Sequence, residues 1–243
     1  MKTTPSRRLT IKWAGTLPPR DWASCRVKEL FLDDAPTITV NQLDDLEVDH
    51  YSIPAFDETG KPAREHGSTI ASNKTLLRGG ELLFSKLNSH KPRVWLVPVD
   101  DHIKVASTEF IALREWHSRT VSKSFFAYVL GSASFADYIT CFQTSVTNSH
   151  RRINPEDLLS TEVPHPSLQE QHLIATYLDE SCAAIDAVAS IGSRPNDSIA
   201  PTGVLDLQML TLAAYRKSLI HECVTGHRRI TEADINLVKA LGS

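Results

Sequence analysis

Short polar segments in the middle of the chain carry the side chains best suited to contact a nucleic acid. Arg, Asn and Gln offer planar donor pairs to base edges, whereas cations, hydroxyls and backbone N–H groups contact phosphates. Three segments have such a composition: ASNKTLLR (71–78), SKLNSHKPR (85–93) and TSVTNSHRR (144–152). The candidate DNA-binding residues are Asn73, Lys74, Arg78, Ser85, Lys86, Asn88, His90, Lys91, Arg93, Asn148, Ser149, His150, Arg151 and Arg152. Solvated loops without a ligand have the same composition, so both interpretations stay open.

The charge distribution favours the same region. The net charge is −3, but residues 61–152 carry 13 basic and 7 acidic side chains, and both flanking regions are acidic. Such an asymmetry can hold an anionic polymer over one part of a protein. Mild charge segregation is also common, and it does not by itself establish DNA binding.

The sequence gives little support for a catalytic or metal-binding site. The pair Asp100-Asp101 with Glu109 could suggest a metal-dependent nuclease, but no lysine is placed with it, which favours a solvated turn. His165 and His172 are seven residues apart and lack a third ligand, so a zinc site is not predicted. The four cysteines form no C-x-x-C motif, which favours free thiols in the cytoplasm. We therefore expect no catalytic residue, no metal and no bound cofactor.

The hydrophobic pattern predicts an α+β domain. Strands are expected at residues 38–40, 81–86, 93–99 and 107–115, and a helix at 123–142, interrupted at some cost by Gly131. A short helix should begin with Asn154 as N-cap and Pro155 as its first residue. No segment has the signature of a signal peptide or a membrane span, so no membrane partner is expected.

Two long amphipathic helices should follow this domain. Ser167 and Glu170 have the spacing of a capping box, in which each side chain bonds the other residue's backbone N–H. Pro195 lies in a break at residues 190–203 and cannot continue the helix. We expect an antiparallel, coiled-coil pair, within one chain or across a dimer. Its apolar contact residues are Ile174, Leu178, Ile185, Val188, Leu205, Met209, Leu212 and Leu219.

The predicted organisation has four parts: a poorly packed lead-in (1–17), a target-recognition domain (18–165), the helical region (166–226) and a loosely attached tail (227–243). The names of the two middle parts come from a resemblance. Five stretches, taken in order, are similar to the DNA-specificity subunit of type I restriction-modification systems. They are TLPPRDWASCRVKELF, GGELLFSKLN, STEFIALRE, HRRINPEDLLSTEVPHPSLQEQHLIATYLD and RKSLIHECVTG, and they span roughly residues 16 to 228.

The resemblance implies a non-catalytic function. Each target-recognition domain of this family reads one half of a split DNA sequence. The conserved helices set the spacing and dock methyltransferase subunits, which bind S-adenosylmethionine and in turn support the restriction subunit. A chain with one recognition domain resembles half subunits, which pair with themselves or with another half, and self-pairing predicts a palindromic bipartite site. The break at residues 190–203 departs from the family. The alternative is a coiled-coil assembly or regulatory protein on the same fold, without sequence readout.

Overall fold

The computed structural model describes residues 11–15, 17–115, 119–142, 151–192 and 204–241. It confirms the α+β class. The strands are β1 (Ala23–Arg26), β2 (Phe31–Asp33), β3 (Thr37–Ile38), β4 (Glu47–Tyr51), β5 (Ala63–His66), β6 (Lys74–Leu77), β7 (Leu82–Ser85), β8 (Val94–Leu96), β9 (Ile103–Ser107), β10 (Phe110–Glu115) and β11 (Glu162–His165). The α-helices are α1 (Val27–Leu30), α2 (Val40–Leu43), α3 (Ile53–Thr59), α4 (Lys123–Gly131), α5 (Ala133–Thr140), α6 (Pro155–Ser160), α7 (Leu168–Gly192), α8 (Val204–Thr225) and α9 (Glu232–Leu241). Among these, none is long and apolar enough to cross a membrane.

The strands form three sheets. An antiparallel four-stranded sheet has the order β2-β10-β7-β8, and a five-stranded sheet has the order β3-β6-β9-β4-β5. In the second sheet β4 and β9 are parallel, while the other neighbours are antiparallel. The pair β1-β11 is antiparallel and joins the N-terminal part of the chain to the segment that leads into α7.

The strand predictions are confirmed in part. The expected strands at 81–86 and 93–99 are β7 and β8 in shorter form. The expected strand at 107–115 begins only at Phe110, because Thr108 and Glu109 form the turn that connects β9 to β10. Strand β9 was missed, since Lys104 in its interior interrupts the apolar pattern. The expected strand at 38–40 was also misplaced, because β3 ends at Ile38 and α2 begins at Val40.

The helix predicted at residues 123–142 is two helices. The chain leaves helical geometry at Ser132, with φ −70° and ψ 145°. The Ser132 hydroxyl accepts from the Phe135 N–H at 3.4 Å and donates to the Val129 carbonyl at 2.8 Å. It therefore caps α5 and bonds the last turn of α4. The prediction for α6 is confirmed, since Asn154 Oδ1 accepts from the Glu156 N–H at 3.3 Å and Pro155 is the first helical residue.

One large apolar core joins the four-stranded sheet to the helices. Edge-to-face aromatic contacts connect its layers: Phe31 with Phe126 at 5.5 Å, and Phe84 with Phe135 at 6.1 Å between ring centroids. Residues of α7 and α8 belong to the same core, including Leu178, which is fully buried. The start of α7 and the end of α8 therefore pack as part of the globular body.

The chain ends are better packed than the sequence suggested. Residues 1–10 lie outside the described ranges, but Trp13 in the lead-in is buried, and its Nε1 donates to the Glu162 carbonyl at 2.9 Å. The prediction of a loosely attached tail is wrong, because α9 packs against α7 and Ile235 is buried. Arg229 ties this end to the N-terminal segment through a bidentate ion pair with Asp21.

Helices α7 and α8 form the antiparallel pair within one chain. Asp186 lies 3.4 Å from Arg216, whereas Tyr177, near the start of α7, contacts Arg228 beyond the end of α8. Residues 193–203 of the predicted break lie outside the described ranges. The Ser167 hydroxyl accepts from the Glu170 N–H at 3.3 Å, as predicted. The other half of the capping box is replaced, since the Glu170 carboxylate accepts from Trp22 and pairs with Arg229.

Candidate nucleic-acid interface

The polar segment at residues 85–93 forms the connection between β7 and β8. The turn closes with a hydrogen bond from the Lys91 N–H to the Asn88 carbonyl at 2.9 Å. Asn88 has a φ of 51°, a left-handed conformation that Asn adopts more easily than most residues. The turn presents His90 and Lys91 to solvent, while Lys86 and Asn88 are half-buried at its start.

The end of segment 144–152, at residues 151–152, is bonded to segment 85–93. Leu87 and Arg152 form an antiparallel bridge. On either side of it, the Asn88 N–H donates to the Arg151 carbonyl at 2.9 Å, and the Ile153 N–H donates to the Lys86 carbonyl at 3.1 Å. Two segments that are about 60 residues apart in the sequence therefore form one backbone surface.

The turn between β9 and β10 completes this surface. The Lys86 N–H donates to the Glu109 carbonyl at 2.8 Å, and the Glu109 carboxylate pairs with the Arg152 guanidinium at 2.6 Å. The sequence offered no signal for Glu109 as part of this site, because 43 residues separate it from Arg152. We call residues 86–91, 108–109 and 151–152 the joined-loop surface. Of the candidate DNA-binding residues it contains Lys86, Asn88, His90, Lys91, Arg151 and Arg152.

Burial removes three candidates from the set of direct contacts. Arg93 is 5% exposed, and its Nε and Nη2 each donate to Asp57 at 2.7 Å. Ser85 is 1% exposed and donates to the Leu87 carbonyl. Lys74 is 6% exposed and donates to both oxygens of Ser72. These polar groups are satisfied inside the protein, so they shape the loops.

The Arg93 pair explains how the β7–β8 turn is held. The Arg93 guanidinium lowers the pKa of the Asp57 carboxyl below its usual value, mainly by hydrogen bonding. Asp57 lies in α3, which is thereby tied to the start of β8. A third contact, from Nη1 to the Leu87 carbonyl at 3.4 Å, brings the turn itself into the same network.

The polar segment at residues 71–78 is divided between the two ends of β6. Lys74, at the start of β6, lies opposite Ser107, so Asn73 and Lys74 adjoin the β9–β10 turn. The Asn73 side chain is exposed and accepts from the Val40 N–H at 3.2 Å. Arg78 follows the other end of β6 and therefore does not join the surface. Asn148, Ser149 and His150 lie outside the described residues, and their contacts with DNA stay a prediction.

A second polar cluster lies on the five-stranded sheet. The ligand-type atoms of Asp49, Asp100 and His102 lie within 4.8 Å of one another. The sequence indicated no lysine beside Asp100, but buried Lys104 donates to its carboxylate. This hydrogen bond lowers the pKa of the Asp100 carboxyl. Arg64 pairs with Asp49 at 2.9 Å. Each carboxylate thus has a cationic partner, and the cluster is a charge-balanced network.

The predicted contact residues of the helices fall into two groups. Ile174, Leu178 and Leu219 are buried in the core of the chain itself, and half-buried Ile185 packs against that core. The outer half of the hairpin is different, because Val188 is 55% exposed and Met209 and Leu212 are half-buried. The side chain of Leu205 lies outside the described set. The outer half also exposes Leu207, Leu210 and Tyr215, which the periodicity argument had not selected.

Comparison with known proteins gives the fold. No protein-family model and no curated protein matches the sequence. The HsdS subunit of Thermoanaerobacter tengcongensis superposes with a TM-score of 0.56 at 19% identity, over 76% of this chain and 53% of that one. A chain from a structure on complex assembly and conformational transition of the type I R-M system gives 0.55 at 18% identity, with the same coverage. This chain thus spans about half the length of each. Its fold is that of the specificity (S) subunits of type I restriction-modification systems, as the sequence motifs predicted.

Proposed function

We propose that this chain is a DNA-specificity subunit of a type I restriction-modification system and reads one half of a bipartite site. The observation that carries the proposal is the joined-loop surface, where two basic segments of the sequence meet on a fold shared with HsdS. Exposed Lys91 and Arg151 and half-buried Lys86 provide positive charge there.

The contacts divide by chemistry. Lysines are point charges suited to phosphates, so Lys86 and Lys91 set affinity and position. The Asn88 amide can pair with N6 and N7 of adenine in the major groove. The Arg151 guanidinium fits O6 and N7 of guanine. Both project from a backbone fixed by the Leu87–Arg152 bridge, which limits the conformational freedom lost on binding.

The chain itself performs no chemistry in this proposal. The α7–α8 pair docks a methyltransferase subunit, which holds S-adenosylmethionine, and the restriction subunit joins through that partner in the cytoplasm. The chain then supplies only the choice of site, because placing a catalytic partner at one sequence requires no bond to be made or broken by the reader.

Pairing of two such units gives the second half-site. The outer part of the hairpin exposes Val188, Leu207, Leu210 and Tyr215, each more than half exposed. An apolar surface of this kind on a helix pair is suited to a second helix pair. A two-fold homodimer reads a palindromic bipartite site, and a different second half gives an asymmetric one. Light scattering of the purified chain tests the homodimer, and a monomer at micromolar concentration would contradict it.

The alternative function is a scaffold that has this fold without sequence readout. The same exposed leucines favour it. The ion pairs of Arg93 with Asp57 and of Arg152 with Glu109 also favour it, because they leave fewer cations for DNA. Competition between duplexes at rising salt separates the two functions. A reader retains a salt-resistant preference for one sequence, whereas a scaffold shows no preference at any salt concentration.

The matched variants for this assay are Lys86→Met and Lys217→Met. Lys217 is an exposed lysine of α8, outside the joined-loop surface. Loss of one phosphate contact should reduce the slope of log K against log salt by about 0.9 for Lys86→Met. An equal reduction of this slope in both variants would show that the joined-loop surface is not the DNA-binding site.

A further inference from the structure

The ion pair between Arg152 and Glu109 occupies one edge of a candidate DNA-binding arginine. The Arg152 Nε lies 2.9 Å from Glu109 Oε2, and Nη2 lies 2.6 Å from Oε1. The two side chains are 46% and 27% exposed, so the pair lies at the surface where a ligand can reach it. The Glu109 carboxylate also raises the pKa of Arg152, which therefore stays charged throughout.

Both partners are held by their main chains. The Glu109 N–H donates to the Ser107 hydroxyl at 3.3 Å, and its carbonyl accepts from the Lys86 N–H. Arg152 is fixed by its bridge to Leu87. The pair therefore forms between two positioned backbones, which reduces the ordering cost that usually weakens exposed ion pairs.

The geometry of the pair resembles the contact that DNA would need. Two parallel N–H donors on one carboxylate form the same fork with which arginine binds a phosphate or the edge of guanine. A duplex approaching this surface meets a guanidinium that is already neutralised and tethered. Glu109 must release Arg152 before the Nε–Nη2 edge can bind a phosphate or a base.

We propose that Glu109 is a built-in competitor for Arg152 that weakens binding to DNA in general and so raises the specificity of the surface. The proposal rests on the proposed function and adds a specificity-determining residue to it. Non-cognate duplexes bind mainly through phosphates and would not displace the carboxylate. A cognate half-site, with its base contacts in register, compensates for the lost ion pair and recruits Arg152.

The test is a double-mutant cycle on binding to a random-sequence duplex. Dissociation constants are measured between about 50 and 200 mM salt for the wild type, Glu109→Gln, Arg152→Gln and the double variant. Glu115→Gln is the control, since Glu115 is also an acidic residue paired with a cation, Lys123, but lies at the opposite end of β10 from Glu109. Thermal unfolding of each variant confirms that it is folded.

Glu109→Gln should bind the random duplex about 2- to 5-fold more tightly, and its salt slope should steepen by about 0.9. In the Arg152→Gln background the same change should have less than half of that effect on log K. An equal effect in both backgrounds, or an equal effect of Glu115→Gln, would overturn the proposal, because Glu109 would then act by general repulsion. If neither the wild type nor Glu109→Gln binds any duplex, the proposed function fails as well, whereas binding by Glu109→Gln alone supports the competitor.

Discussion

Replacing Arg93 tests whether this arginine shapes the surface or contacts DNA. Arg93→Met removes two charge-assisted hydrogen bonds of 2.7 Å and replaces the guanidinium with an apolar chain that can fill the space. The Asp57 side chain is 47% exposed, so water can solvate it after the change. We therefore expect a loss of about 1.5–3 kcal/mol in the free energy of unfolding, the range for hydrogen bonds to charged groups.

Replacing the partner residue, Asp57, should reduce the free energy of unfolding by more. Asp57→Ala leaves the Arg93 guanidinium, whose side chain is only 6% exposed, without its counter-ion. Breaking a buried pair in this way costs about 3–5 kcal/mol, and access of water from the Asp57 side places the expected loss at about 3 kcal/mol. The order of the two losses follows from which partner is left buried.

Urea unfolding measures both losses, and salt-dependent DNA binding distinguishes the roles. Lys91→Met is the control, because Lys91 is exposed on the same turn. It should reduce the salt slope by about 0.9 and change the stability by less than about 0.5 kcal/mol. Arg93→Met, assayed where it is folded, should leave the slope unchanged. A slope reduced by about 0.9 with no loss of stability would refute the structural role of Arg93.

Three further changes probe the packing and the helix pair. Gly226→Ala should lower the free energy of unfolding by about 2–4 kcal/mol, because φ is +78° and the new Cβ would lie 2.5 Å from Pro19. Thermal or urea unfolding measures this loss, and unaltered stability would contradict the packing of Gly226 against Pro19. Burial lowers the pKa of His165, so the unfolded chain binds its proton first as the pH falls below about 6.5. The urea midpoint should therefore drop between pH 7.5 and 5.5, and His165→Phe should lessen that drop. Leu210→Asp should weaken self-association in light scattering, whereas Leu237→Asp, at an equally exposed leucine of α9, should not.

The regular parts of the fold were predictable because their signals are local. The helical period placed α7 and α8, and the cap residues Asn154 and Ser167 marked two helix starts. The division of residues 123–142 was not recognised, since Ser132 reads equally well as a helical residue until its hydroxyl is seen to cap α5. The attachment of α9 depends on contacts with α7, which no local pattern records.

The residues of the candidate site could be predicted from composition, but the ion pairs that occupy some of them could not. Residue type and charge selected the two segments that meet at the Leu87–Arg152 bridge. They could not indicate that Arg93 is neutralised by Asp57, 36 residues away, or Arg152 by Glu109. Composition identifies which side chains could bind a phosphate, whereas tertiary contacts decide which of them are already occupied.

The adenine methylation pattern of cells that carry this chain and the methyltransferase subunit proposed to dock on it is the most direct test of the central claim. Sequencing that detects modified adenines is compared among cells with the chain, cells without it, and cells with Lys86→Met and Arg151→Met combined. We predict a bipartite methylated motif that depends on the chain and is lost or reduced in the double variant. A methylome that is identical in all three would contradict the assignment of this protein as a DNA-specificity subunit.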